Sequence, residues 1–180
     1  MSNMMEKSAD LCYISAIELL DLYDLKTVSP VDVTKAVFDR IHVVNEEVNA
    51  FSLLTEETAM QAARESEARW SKGEARGILD GIPVSVKDIV LSKDWPTQRG
   101  SKASPTDQPH TVDAPCVARM REHGAIFLGR TATPEFGWKG VTDSPLTGIT
   151  RNPWDTTKTP GGSSGGAATA AALGMGALHI

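Results

Sequence analysis

Residues 159–166 read Thr-Pro-Gly-Gly-Ser-Ser-Gly-Gly, and no other segment limits so sharply what this 180-residue chain can fold into. Glycine loses more backbone freedom on folding than any other residue, so four in six positions are costly to order unless that freedom is used. They admit conformations closed to other residues and let another chain or a substrate approach the backbone. Pro160 stands behind the run, and the apolar stretch Ala167 to Leu173 follows as a helix that must be surrounded. Ser163 and Ser164 then sit at the centre of the loop, where a reacting group can touch them.

The first third of the chain has helical periodicity. Ser15 with Glu18 three residues on reads as a capping box that opens a stripe through Ile17, Leu19, Leu20 and Tyr23. Ser29 offers an N-cap with Pro30 behind it, and Val33, Val37, Ile41, Val44 and Val48 recur at helical spacing. Thr55 starts a third helix that Gly73 stops. The character changes at Gly77. Ile82, Val84 and Val86 alternate with Pro83, Ser85 and Lys87 as in a strand, and 92–112 reads as an irregular loop. Asp113 and Pro115 begin a helix ended by Gly124, and Ala125 to Gly129 is an apolar strand. Thr133 to Asp155, rich in proline and glycine, reads as an extended connection, and Ala177 to Ile180 as the start of a buried strand. Residues 1–75 are thus expected to be a helical segment and 76–180 the start of an α/β core. A core strand met at its first few residues is the expected mark of a fragment.

Charge and cysteine usage exclude several functions. A net charge of −5 with scattered Lys and Arg argues against nucleic acid as a partner. Cys12 and Cys116 are far apart, which fits a reducing compartment, with the cytoplasm as the default. Met1 to Asp10 lack a secretory apolar stretch, Met4 and Met5 are expected to be disordered, and no apolar run reaches the roughly 20 residues of a membrane span. The acids and histidines show no ligand spacing, so no metal is expected.

Lys87 is the second residue of interest, because it ends an apolar strand. A lysine there either snorkels to water or is held neutral in a partly buried site. Acting as a base at neutral pH requires a fall of roughly three pKa units, about 4 kcal/mol of desolvation or charge repulsion. Serine needs such a base, and the usual one is histidine. His42 and His123 fall in or at the end of helices, His110 in a loop and His179 at the last strand, and all four read as structural. A lysine base with a serine relay is the acyl-transfer chemistry that remains. Trp95 and Trp154 read as packing anchors.

Gly81-Ile82-Pro83-Val84-Ser85-Val86-Lys87-Asp88, then Gly100-Ser101, then Arg151-Asn152-Pro153-Trp154-Asp155 leading into Pro160 to Gly166, resembles the amidase signature family in order and approximate spacing. The resemblance implies a single large α/β domain whose mixed central β-sheet is covered by helices on both faces, with this chain supplying its N-terminal part. It implies Lys87 as the base and Ser163, preceded by a cis peptide, as the relay to a second serine that attacks an amide carbonyl. Ser164 is implied as loop support, with Gly161, Gly162, Thr142 and Ser144 lining the substrate cleft. No organic cofactor is needed for such chemistry, and the partner implied is a small-molecule amide, with a homo-oligomer possible.

The chain departs from the family's pattern in one respect. The attacking serine lies in a second segment of the form Gly-Thr-Asp-x-Gly-Gly-Ser-Ile-Arg, absent from these 180 residues together with its oxyanion-binding amides. Oxyanion stabilisation of that kind is worth about 3 kcal/mol of barrier, so the 180 residues alone are expected to be inactive. Three other readings stand beside this one. Glycine loops that open helices suit anions, although neither phosphate-binding fingerprint is present. A non-catalytic interaction protein could pair an open sheet edge. Within the family, the amidase-type component of a glutamine-dependent transfer-RNA amidotransferase is possible, but residues 140–148 do not match the Ser-Ser-x-Glu-Asn-Ser run associated with it.

Overall fold

The computed structural model describes residues 11–104 and 108–180. The expectations for Met1 to Asp10, including Met4 and Met5, and for 105–107 lie outside the described residues. Helix α1 spans Ala16–Asp24, and both halves of its Ser15–Glu18 capping box are made. Leu19 and Tyr23 face inward, whereas Ile17 lies on the exposed side, so the buried stripe is narrower than its sequence suggests. Helix α2, Pro30–Val48, is capped by Ser29, and Asp32 completes a second box that the sequence reading does not identify. Val33, Val37, Ile41 and Val48 are buried along one face, as their spacing predicts.

The chain then forms a short strand that the sequence reading misses, β1 at Phe51–Leu54. Four residues between two long helices carry too little periodicity to reveal it. Helix α3 spans Glu56–Lys72 and ends at Gly73 with φ +72°. Thr55 precedes it without capping it, because its hydroxyl donates to the Phe127 carbonyl at 3.2 Å and ties the helix start to the sheet.

Strand β2 is Pro83–Lys87, helix α4 is Pro115–Glu122 and strand β3 is Ile126–Thr131. A 3-10 turn at Glu135–Gly137 and a small hairpin, β4 Asp143–Ser144 with β5 Gly148–Ile149, occupy the stretch read as an extended connection. Helix α5 is Gly165–Ala172 and strand β6 is Leu178–His179. The main sheet runs β1-β3-β2-β6, with β2 parallel to β3 and β6, and β1 antiparallel to β3. It is therefore a mixed sheet.

All five residues of β2 and all six of β3 are buried, so both sheet faces are covered in the centre. The alternation of Ile82, Val84 and Val86 with Pro83, Ser85 and Lys87 does not separate an inner from an outer face here. Strand β6 is only half-buried, because it forms one edge of the sheet.

One buried carboxylate couples the helices to β2. Asp80 accepts from Ser66 Oγ at 2.7 Å, from Arg69 at 2.8 and 2.6 Å, and from the Arg76 amide at 2.7 Å. Burial alone would raise its pKa, but these bonds win and hold it below the usual carboxylate range. Tyr23 adds a buried bond to the Gly81 carbonyl at 3.0 Å. The segment entering β2 is thereby fixed on two sides. No helix among the described residues is long and apolar enough to cross a membrane.

Candidate active site

The parallel strand β2 delivers Lys87 to its C-terminal end, where ligand sites of open α/β sheets form. Lys87 is 6 % exposed, so the snorkelling alternative does not hold. Its Nζ lies 2.6 Å from Ser163 Oγ and 2.9 Å from Ser164 Oγ. Burial pulls its pKa below the ordinary lysine value, since water no longer solvates the ammonium. The amine donates to both hydroxyls and, when neutral, is placed to accept a proton from either. The edge strand contributes here too: the Ile180 carbonyl accepts the Lys87 amide at 2.6 Å.

The glycines around the serines have distinct reasons. The peptide between Gly162 and Ser163 is cis, and Gly161 has φ +85°. A Cβ on Gly162 would lie 2.8 Å from the Val141 nitrogen, and one on Gly165 would lie 2.3 Å from Thr142 Oγ1. On Gly166 it would meet the Ala132 nitrogen at 2.5 Å. Close approach of neighbouring atoms therefore dictates three of the four residues, and positive φ the remaining one. Ser164 precedes α5 as its N-cap residue but makes no side-chain capping bond. Its hydroxyl meets Lys87 instead.

Of the other sequence candidates, Thr142 meets the serine loop directly. Thr142 is 2 % exposed and both bonds of its hydroxyl run to the serine loop, donating to the Gly161 carbonyl at 2.8 Å and accepting from the Gly165 amide at 3.0 Å. Ser144 Oγ pairs with Thr147 Oγ1 at 2.8 Å and accepts the Thr147 amide at 3.0 Å, so its hydroxyl closes the β4–β5 turn. Trp95 packs edge-on against Phe127, as a packing anchor should. Trp154 does not: at 85 % exposure it packs little.

The histidines stand apart from the serine loop's hydrogen bonds. His42 pairs with Glu56 at 2.8 Å on the surface, and His123 is the C-cap residue of α4. His110 pairs through its backbone with Lys93 and Trp95. His179 bonds through Nδ1 to Ser85 Oγ at 2.7 Å, and burial draws its pKa down to about 4.

The sequence reading assigns no role to two charged residues beside Lys87. Asp88 is buried and accepts the Gln98 and Gly100 amides at 3.0 and 3.2 Å, folding the following loop back over the strand end. Arg130, 1 % exposed on β3, donates to the Val90 carbonyl at 3.0 Å and Thr97 Oγ1 at 2.8 Å, and its Nε lies 3.7 Å from Asp88. Burial draws Arg130 down to about 10 and pushes the Asp88 carboxyl up, against the opposing pull of its backbone bonds and of Arg130. The signal is an arginine inside Ile126-Phe127-Leu128-Gly129-Arg130-Thr131, an otherwise apolar strand.

Comparison with known proteins shows the family of the chain. The family model described as Amidase matches residues 32–180. The chain is 44 % identical over 166 residues to the A component of the glutamyl-tRNA(Gln) amidotransferase of Rhodopirellula baltica, covering 92 % of this chain and 33 % of that protein. It is 38 % identical over 164 residues to indoleacetamide hydrolase of Bradyrhizobium diazoefficiens, covering 91 % and 31 %. The chain thus spans about a third of the length of the curated relatives it matches. Among solved structures, a bacterial aryl acylamidase of the amidase signature enzymes superposes with a TM-score of 0.86 at 32 % identity, over 91 % of this chain and 34 % of that one. A fatty acid amide hydrolase superposes at 0.90 with 26 % identity, over 96 % and 30 %. Sequence match and backbone agreement extend from the helical segment through the lysine strand to the serine loop, and the chain belongs to the amidase signature family.

Proposed function

We propose that this chain carries the base and relay half of an amide-hydrolysing centre, with Lys87 as base and Ser163 as relay. The observation that supports it is the 2.6 Å contact between a buried lysine amine and the Ser163 hydroxyl. As a neutral amine, Lys87 takes the Ser163 proton while Ser163 takes the proton of an attacking serine from the second glycine-rich segment. That serine's oxygen bonds to the amide carbon, and the carbonyl electrons move onto its oxygen. The relay then returns the proton to the leaving nitrogen as the C–N bond breaks, and water hydrolyses the acyl-enzyme through the same groups. Ser164 steadies the Lys87 amine, and the exposed Gly162 edge of the loop faces incoming substrate.

The partner in this reading is a small-molecule amide, bound without nucleic acid or membrane. The two separated thiols are the reason to assign a reducing compartment, the cytoplasm. The described part of the N-terminal segment, 11–75, serves as a mainly helical brace that also lends strand β1 to the sheet, and 76–180 as the start of the catalytic core. Service as the amidase-type component of a transfer-RNA amidotransferase is a second reading, favoured by the 44 % identity to such a protein. Glutamine hydrolysis dependent on the other components of that complex would support it.

The test is amide hydrolysis by a chain extended past Ile180 to the full length of its relatives, the second glycine-rich segment included. That protein should cleave amides, whereas its Lys87→Met and Ser163→Ala variants should lose at least about a thousandfold, and the 180 residues alone should not turn over. Undiminished cleavage by Lys87→Met would refute the assignment.

A further inference from the structure

The family resemblance singles out Thr142 as a cleft residue, yet its side chain is 2 % exposed and its hydroxyl both donates and accepts within the serine loop. One atom, Oγ1, donates to the carbonyl two residues before Ser163 and accepts from the amide two residues after it. Gly161 and Gly165 are therefore joined through a single hydroxyl that spans both serines. The backbone of the same segment completes the grip, since the Val141 nitrogen and the Gly140 carbonyl carbon would lie 2.8 and 3.0 Å from any Cβ on Gly162. Gly165 opens α5, and the first amides of a helix have no acceptor within it. Thr142 supplies that acceptor, while Ser164, the residue in the N-cap position, turns its own hydroxyl to Lys87.

We propose that Thr142 is a positioning residue: its hydroxyl clamps the serine loop and so holds the Ser163 and Ser164 oxygens against Lys87. The proposal rests on the reading of Lys87 and Ser163 given above. The clamp acts on the amine indirectly. With the loop held, the two serine oxygens close over Lys87 and keep water from it. With the loop released, the amine hydrates and its titration moves toward that of a free lysine near 10.4. Threonine suits the position because one hydroxyl donates and accepts at once, whereas valine has the same shape and does neither. The close approach of Gly165 to Thr142 also explains why that glycine tolerates no side chain: a Cβ would displace the very atom that makes the clamp.

The test follows the titration of Lys87 in the 180-residue chain by NMR of lysine labelled at the ε-carbon, assigned by the signal lost in Lys87→Met. Thr142→Val should raise the apparent pKa by about one unit, and Thr142→Ser, which retains the hydroxyl, should return it to the wild-type value. An unchanged titration in a folded Thr142→Val overturns the proposal, as does Thr142→Ser behaving like Thr142→Val. A second measurement needs no variant: the Gly165 amide of the wild-type chain should exchange with deuterium at least about tenfold more slowly than an unbonded helix-start amide, and unprotected exchange also overturns the clamp. If wild-type Lys87 itself titrates as a free lysine, the base assignment fails; a depressed wild-type value that Thr142→Val leaves in place defeats the clamp alone.

Discussion

Replacement of Arg130 by methionine tests whether the buried ion pair beside Lys87 holds the strand end and the loop that follows. Arg130 Nε lies 3.7 Å from Asp88 Oδ1, and both side chains are removed from solvent. At that separation, with an effective dielectric constant of about 20, Coulomb's law gives an attraction of about 4.5 kcal/mol. Desolvation opposes it, and burial draws the guanidinium down to about 10 and the Asp88 carboxyl up. Because the folded-state pKa of Asp88 is raised, the native state binds its proton more tightly than the unfolded chain. The stability tied to its protonated form is therefore present below the unfolded carboxylate value and is lost as pH rises from there through the raised folded value.

Removal of one charge strands the other, so Arg130→Met and Asp88→Asn should each lose about 3 to 5 kcal/mol in urea unfolding at pH 7. The double variant leaves no stranded charge. It should be more stable than the sum of the single losses by about 2 to 3 kcal/mol, the coupling expected of contacting residues. The bonds of Arg130 to Val90 and Thr97 are lost in both backgrounds and cancel from the cycle. A coupling below about 0.5 kcal/mol would show that backbone bonds alone fold the loop over Lys87 and that the pair contributes nothing specific.

Two further outcomes are expected. His179 is held neutral by burial with a pKa near 4, so the unfolded chain protonates first; stability should fall as pH drops from about 6.5 towards 4, by up to about 3 kcal/mol, and His179→Gln should remove that slope in pH-dependent urea unfolding. Gly162→Ala would bring a Cβ to 2.8 Å from the Val141 nitrogen, and backbone cannot yield as a flexible side chain does. It should destabilise by about 1 to 3 kcal/mol in thermal unfolding, and a loss under about 0.5 kcal/mol would mean that the serine loop does not pack against Val141.

The helical segment is legible because local rules decide it. Ser15 with Glu18 and Ser29 ahead of Pro30 mark the starts of α1 and α2, with the Asp32 half of the second box seen only in the structure, and the four-residue spacing of valines marks the buried face of α2. Ile17 shows the limit of such patterning, since the residues packed against α1 cover a narrower stripe than its sequence offers. β1 is not legible: Phe51 to Leu54 is too short to display a period, and it is a strand because β3 lies ready to pair with it. Thr55 has the composition of a cap, but the sheet's Phe127 carbonyl claims its hydroxyl. Trp154 reads as a packing residue on size alone, and the loop that carries it leaves it in solvent.

The candidate site divides in the same way. Residue type and local spacing suffice to put Ser163 and Ser164 in a glycine loop ahead of a helix and a lysine at the end of an apolar strand. It takes the folded chain to bring Lys87 within 2.6 Å of Ser163 across 76 residues, bury the amine, join Asp88 to Arg130 and turn the Thr142 hydroxyl onto Gly161 and Gly165. Those contacts depend on strand register and on the approach of segments distant in sequence. No local propensity encodes either, and desolvation of an amine arises only when the surrounding chain has closed over it.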